Sequence, residues 1–139
     1  MLINKVNILK YIPQRPPFVM IDNLIECNSN KFITNFQILE SNIFVLKDSI
    51  SESALIENIA QTCAVGFGYL DDNAESKIGY IGALTKLKLF SLPVVGDELT
   101  TETNIINEFQ GVYLLKGEVF SENKILMECQ LKIVTKESI

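Results

Sequence analysis

The sequence predicts an α+β fold in which a curled antiparallel sheet wraps around one long central helix, and two patterns carry that prediction. In residues 54–70, apolar side chains occur nearly all round the helical wheel, which indicates a helix buried on every side. In residues 124–134, apolar residues alternate with polar ones, which is typical of an antiparallel strand with one face in the core. Further strand-like runs, separated by turn-forming residues, occupy residues 78–90, 98–106 and 112–120.

The first forty residues predict a short helix and two more strands. Residues 2–10 carry apolar side chains at helical spacing, and the prolines within residues 13–17 stop any continuation, so we expect a short docking helix. Residues 18–27 and 31–39 are strand-like and predict a hairpin with a turn at residues 28–30.

Length and composition are those of a globular protein. The chain has 139 residues, of which 47% are apolar and 21% charged, and it fits one domain over residues 1–139. No apolar run approaches the roughly 20 residues that span a bilayer. The first ten residues also lack the order of a secretion signal. We therefore expect a cytoplasmic protein that does not cross a membrane.

Charge, cysteines and histidine content exclude several classes of function. The net charge of −5 argues against nucleic-acid binding, which requires a basic surface. Cys27, Cys63 and Cys129 are odd in number and widely spaced, so we expect free thiols rather than disulfides or a metal site. We expect no cofactor. Because the chain has no histidine, it cannot by itself run a mechanism that depends on an imidazole.

Three segments resemble the FabZ-type 3-hydroxyacyl-acyl carrier protein dehydratases. Residues 12–22, IPQRPPFVMID, resemble that family's L-P-H-R-x-P-F-L-L-V-D, with Gln14 in place of the histidine. Residues 54–61, ALIENIAQ, resemble its helix motif V-L-I-x-E-A-x-A-Q and put Glu57 at the position of the catalytic acid. Residues 92–99, LPVVGDEL, are similar to P-V-x-P-G-D-x-L. The resemblance implies the hotdog fold, which dimerises by joining two sheets edge to edge and packing the helices together.

The same resemblance locates two departures from the family pattern. The family's G-H-F-P motif falls on residues 42–45, so Ile43 stands at the position of the lost catalytic histidine while Phe44 is kept. The turn M-P-G that leads into the helix falls on residues 50–52, which places Glu52 near amides that would polarise a thioester carbonyl. Isoleucine cannot transfer a proton. General acid-base catalysis by a positioned side chain is worth about 10²–10⁴-fold in rate. We expect the isolated chain to be inactive.

The candidate site residues each have a structural alternative. Glu57 is the candidate acid, and Gln61 lies one turn further on the same helix face as a supporting residue. A glutamate near a helix start can be favoured by the helix dipole alone, and a buried glutamine can simply satisfy backbone groups. The candidate substrate-binding residues are Phe18, Phe44 and Glu52. The two aromatic residues could line an acyl tunnel, although such residues more often belong to the core.

The first hypothesis is that the chain is a FabZ-like dehydratase homologue of fatty-acid or polyene-type biosynthesis. It would be a degenerate subunit, a pseudoenzyme by itself, that depends on a partner for activity. The resemblance implies a homodimer, or a heterodimer in which a histidine-bearing paralogue supplies the base and this chain supplies Glu57. One alternative is an acyl thioesterase in which Glu57 acts on water that Gln61 or Thr62 positions. Another is a non-enzymatic acyl-binding or scaffold subunit. An acyl carrier protein could dock at Lys86 and Lys88, although it would meet an acidic surface.

Overall fold

One helix, α1 (Glu52–Leu70), lies against the inner face of a curled six-stranded antiparallel sheet, as the sequence predicts. The structure, a computed structural model, describes residues 1–71 and 79–135. The sheet has the strand order β1-β2-β6-β7-β8-β5, and β3 and β4 form a separate small hairpin. The strands are β1 (Asn23–Cys27), β2 (Lys31–Gln37), β3 (Val45–Leu46), β4 (Ser49–Ile50), β5 (Gly79–Leu89), β6 (Glu98–Phe109), β7 (Val112–Ser121) and β8 (Lys124–Thr135).

Helix α1 is buried because the sheet curls around it. Its first turn is capped by Ser51, whose side chain accepts a hydrogen bond from the backbone N–H of Ala54. Gly66 allows the closest approach to the sheet, because a Cβ there would lie 2.2 Å from the ring of Phe32. Gly68 is held against the N-terminal segment in the same way, with only 2.5 Å between such a Cβ and the carbonyl oxygen of Tyr11. No helix in the described residues is long and apolar enough to cross a bilayer.

The three cysteines are free thiols, in agreement with their spacing: Cys63 and Cys129 are buried in the core, and Cys27 is partly buried against it. Strand β8 alternates as predicted and directs Cys129 and its apolar neighbours inward. Burial raises the pKa of Cys63 to about 12 and the pKa values of Cys27 and Cys129 to about 11. Thiols with such pKa values stay protonated near neutral pH and are poor nucleophiles.

The N-terminal predictions were partly wrong. The helix expected over residues 2–10 is only one 3₁₀ turn, Ile8–Lys10, and Ile3 instead forms an isolated antiparallel bridge with Leu24. The side chain of Asn4 accepts hydrogen bonds from two following backbone N–H groups, and this local turn competes with helix formation. The strand expected over residues 18–27 begins only at Asn23.

Strand β5 forms one edge of the sheet and is exposed on both faces over most of its length. Its predicted first residue, Ile78, lies outside the described residues. The strand carries several large exposed apolar side chains, namely Tyr80, Ile81, Leu84 and Leu89. A long edge strand with apolar side chains is a template for pairing with another chain. Strand alternation predicts Lys86 and Lys88 on the same face of the strand. Lys86 instead has a φ of 54° within a bulge, which interrupts the alternation between the two lysines.

Candidate active site

Glu57 lies on the wall of a cavity of about 310 Å³ between α1, β5 and the end of β8. On the helix side, the wall is a single stripe in which Glu57 is followed by Ala60, Ala64 and Phe67. The two alanines leave space above the helix, and the rest of the wall is mainly apolar. The remaining described wall residues are Tyr11, Pro13, Gln14, Cys63, Gly79, Tyr80, Ile81, Ile133 and Thr135.

The carboxyl of Glu57 is half-buried, and this position changes its proton affinity. Desolvation by burial raises the pKa of Glu57, and a side-chain hydrogen bond with Gln61 opposes part of that rise. The carboxyl therefore keeps its proton to a higher pH than an exposed glutamate does. A carboxyl in this state can act as a general acid toward a group bound in the cavity.

Gln61 is fully buried and fastens the segment before β1 to the helix. Its Oε1 accepts a hydrogen bond from the backbone N–H of Met20 at 2.6 Å, and its Nε2 donates to the carbonyl of Phe18 at 2.9 Å. Asn58 donates from Nδ2 to the carbonyl of Met20 at 2.7 Å. Gln61 thus satisfies backbone groups, which was the structural alternative for this residue. It also lowers the pKa of Glu57 through their hydrogen bond. They also explain why residues 18–22 do not form the predicted strand.

Thr62, a fully buried hydroxyl-bearing residue of α1, belongs to the same buried network. The hydroxyl of Thr62 donates to the carbonyl of Asn58 at 2.9 Å and lies 2.7 Å from the hydroxyl of Thr34. The hydroxyl of Thr101 donates to Oδ1 of Asn58. The i, i+4 relation between Asn58 and Thr62 is thus a direct contact. All these side chains are bonded to protein atoms, as most buried polar groups are.

The other predicted site residues lie elsewhere. Phe18 and Ile43 are 56% and 48% exposed, Phe44 packs against the main core, and Glu52 lies in the first turn of α1. None of the four lines the cavity of Glu57. The resemblance implies a site that is shared between two chains, so one chain alone is not expected to bring position 43 to Glu57.

Several wall residues were not predicted from the sequence. Gln14 was noted only as a replacement for the family's histidine, but it lies in the cavity wall. Its Oε1 is buried and has no hydrogen-bond partner among the described residues. The wall residues of β5 and β8 gave no signal, because their position depends on how the sheet closes. The stripe from Ala60 to Phe67 could have been found from its spacing to Glu57. No cluster of potential metal ligands occurs in the described part of the chain.

The raised pKa of Glu57 predicts a stability effect that depends on pH. The folded-state pKa of Glu57 lies above the ordinary value of 4.5. The contribution of this carboxyl to the free energy of unfolding is therefore complete below pH 4.5 and is lost as the pH rises through the folded-state pKa. Glu57→Gln removes this loss, so the melting temperature of the variant should rise relative to wild type between pH 4 and pH 8. Thermal unfolding at several pH values checks this. The control is Glu26→Gln, at an exposed glutamate of β1. A Glu57→Gln difference that is constant with pH would contradict the assignment.

Comparison with solved structures identifies the structural class of the chain. It superposes on a chain of the dehydratase heterocomplex ApeI:P from Xenorhabdus doucetiae with a TM-score of 0.83, at 16% identity over 92% of this chain and 90% of that one. A hypothetical thioesterase with coenzyme A from Streptococcus pneumoniae gives a TM-score of 0.69, at 7% identity over 83% and 85% of the two chains. These likenesses show the hotdog fold, which dehydratases and thioesterases share.

The sequence narrows this class to a family. A 3-hydroxyacyl-[acyl-carrier-protein] dehydratase FabZ of Wolinella succinogenes is 26% identical over 99% of this chain and 98% of its own length. The family model described as ApeP-like, ApeP dehydratase, matches residues 6–139. The chain therefore belongs to the ApeP-like dehydratase family, a relative of the FabZ-type enzymes.

Proposed function

We propose that this chain is the glutamate-bearing subunit of a 3-hydroxyacyl thioester dehydratase and works with a histidine-bearing partner. The observation that carries the proposal is Glu57, a half-buried carboxyl with a raised pKa on the wall of a mainly apolar cavity. Family membership supplies the type of reaction. The partner is required because the chain has no histidine and has Ile43 where the resemblance expects one.

The reaction assigns a separate task to each subunit. A base removes the proton from C2 of the 3-hydroxyacyl thioester, the C2–C3 double bond forms, and the C3–O bond breaks as an acid protonates the departing hydroxyl. Protonated Glu57 supplies that proton, so water leaves and an enoyl thioester remains. The Cys63 thiol on the same wall has a pKa of about 12 and is unsuited to be the base. The histidine of the partner takes the C2 proton.

The exposed edge of the sheet is where we place the partner. Gly79, Tyr80 and Ile81 belong both to the open edge strand β5 and to the wall of the Glu57 cavity. A second chain that pairs with β5 therefore lies beside the cavity and can bring its own residues toward Glu57. In a homodimer of this chain, both copies would carry Ile43. We therefore favour a heterodimer over a homodimer.

The acyl group would arrive on coenzyme A or on an acyl carrier protein. Lys86, Lys88 and Lys116 line a shallow depression on the sheet, which is the landing surface suggested for an acidic carrier. Two of these lysines approach Glu128, with N···O distances of 3.8 Å for Lys88 and 3.9 Å for Lys116. This pairing weakens the local positive charge, so direct carrier docking has less support than the dehydratase site itself.

The buried network weighs against the thioesterase alternative. That mechanism needs Gln61 or Thr62 to position a water molecule near Glu57. Both polar atoms of Gln61 already bond to the backbone of residues 18–20, and the hydroxyl of Thr62 bonds to Asn58. Neither side chain lines the cavity, although Gln61 contacts its wall through the hydrogen bond with Glu57.

A complementation assay tests the proposal. The partner is a histidine-bearing paralogue whose own helix glutamate is replaced by glutamine, so that it retains the base but not the acid. We expect that each protein alone leaves crotonyl-CoA unchanged and that the mixture hydrates it, observed as loss of the enoyl absorbance. Replacing the histidine of the partner by alanine should abolish this gain. Release of free thiol by this chain alone would favour the thioesterase, and a complex without activity would leave a scaffold role.

A further inference from the structure

Phe67 borders the Glu57 cavity and also a second cavity. The second cavity has a volume of about 290 Å³ and lies at the end of α1, where it is lined by Leu70, Ile105 and Tyr113 and also by the polar Ser29 and Asp71. Phe67 and Thr135 belong to the walls of both cavities. We propose that the Phe67 ring divides one potential acyl channel into two parts and thereby sets the longest acyl chain that the site accepts. This inference rests on the proposed acyl-binding function of the Glu57 cavity.

The stripe along α1 provides the path for an acyl chain. Beyond Glu57, its residues are the small Ala60 and Ala64, and Phe67 is the first large side chain on it. Glu57 and Phe67 are ten residues apart, which is about 15 Å along a helix. An extended chain advances about 1.2 Å per bond, so that distance suits roughly twelve carbon atoms. A longer chain bound with its reacting carbons at Glu57 meets the Phe67 ring.

The ring is held in place by two aromatic neighbours. Its centroid lies 5.1 Å from that of Phe32 in an edge-on contact and 4.7 Å from that of Tyr113 in a tilted contact. Phe32 is itself fully buried and packs tightly on Gly66. Phe67 therefore cannot turn aside without disturbing both contacts. The ring is a fixed wall, and the distal cavity is unused while the ring is present.

Truncating the ring should join the cavities. In Phe67→Ala, an acyl chain can continue toward Leu70 and Ile105, and each further methylene that it buries should tighten binding about fourfold. Chains longer than the wild-type limit should then bind at least about tenfold more tightly, whereas chains of four to eight carbons should bind as before. Ile105→Phe places a larger side chain in the wall of the distal cavity. It should leave the wild-type profile unchanged and cancel the gain when combined with Phe67→Ala.

The experiment measures dissociation constants for a series of saturated acyl-CoA molecules of four to eighteen carbons. It uses the full chain in the assembly in which it purifies, and circular dichroism establishes that each variant is folded. Phe67→Leu, which retains more of the packing, carries the test if Phe67→Ala does not fold. A shifted length limit that Ile105→Phe cancels supports the inference. Folded variants with the wild-type length profile overturn it while the proposed function stands. Failure of every variant and of wild type to bind any acyl-CoA overturns both.

Discussion

Glu57→Gln is expected to lower the rate at which the mixed complex hydrates crotonyl-CoA by about 10²–10⁴-fold. Glutamine has nearly the same size as glutamate and can keep a hydrogen bond with Gln61, but it cannot donate or accept the reacting proton. The loss should therefore appear mainly in kcat, with little change in KM. The complementation assay measures it directly, because the partner in that assay has lost its own helix glutamate.

The control for this substitution removes the same charge at a distance from the cavity. Glu26 is exposed on β1 and does not line the cavity, so Glu26→Gln should keep activity within about twofold of wild type. The pH profile gives a second readout. In the dehydration direction, activity with Glu57 should fall as pH rises through its raised pKa, and this limb should be absent from any residual activity of Glu57→Gln. Undiminished activity in Glu57→Gln would reject the composite site and leave only a scaffold role.

The parts of the fold that were predictable are those in which one pattern is repeated over many residues. In α1, apolar side chains round most of the wheel require burial, and the structure buries ten of the nineteen residues of the helix. In β8, the alternation of buried and partly exposed residues persists along most of the strand. Such elements have only one arrangement that buries their apolar surface, so local pattern and tertiary structure agree.

The failures occur where polar side chains redirect the backbone. Asn4 turns the chain within residues 2–10, so helical spacing there produces only a single 3₁₀ turn. Residues 18–22 look like a strand, but Asn58 and Gln61 take up backbone groups that a strand ladder would use. A propensity pattern does not show that side chains forty residues away will satisfy those groups.

The candidate site was predictable only on its helix side. The motif around Glu57 gave the candidate acid, and helical spacing gave Gln61 as its neighbour, whose bonds only the structure reveals. Tyr80 and Ile133 join the cavity wall through the closure of β5 on β8, which no local pattern encodes. Helical spacing from Glu57 reaches Phe67, but nothing in the sequence distinguishes Phe67 from the other apolar residues of the helix.

Asn58→Ala is expected to destabilise the fold by about 2–4 kcal/mol. Asn58 is fully buried, and its side chain bonds both to the carbonyl of Met20 and to the hydroxyl of Thr101. Alanine leaves those two groups without these partners and also leaves a small void in the core. Urea unfolding should show a lower midpoint with an unchanged slope.

A partly buried asparagine with weaker bonding provides the matched control for that loss. Asn104 makes one hydrogen bond of 3.3 Å, to Glu102, so Asn104→Ala should cost less than about 1 kcal/mol. Equal losses in the two variants would mean that the Asn58 network adds nothing beyond an ordinary polar contact. A larger loss for Asn58 would also concern the site, because the segment that it holds at Met20 is continuous with Pro13 and Gln14 in the cavity wall. The polar residues of α1 that do not face the cavity would then be what keeps one side of it in place.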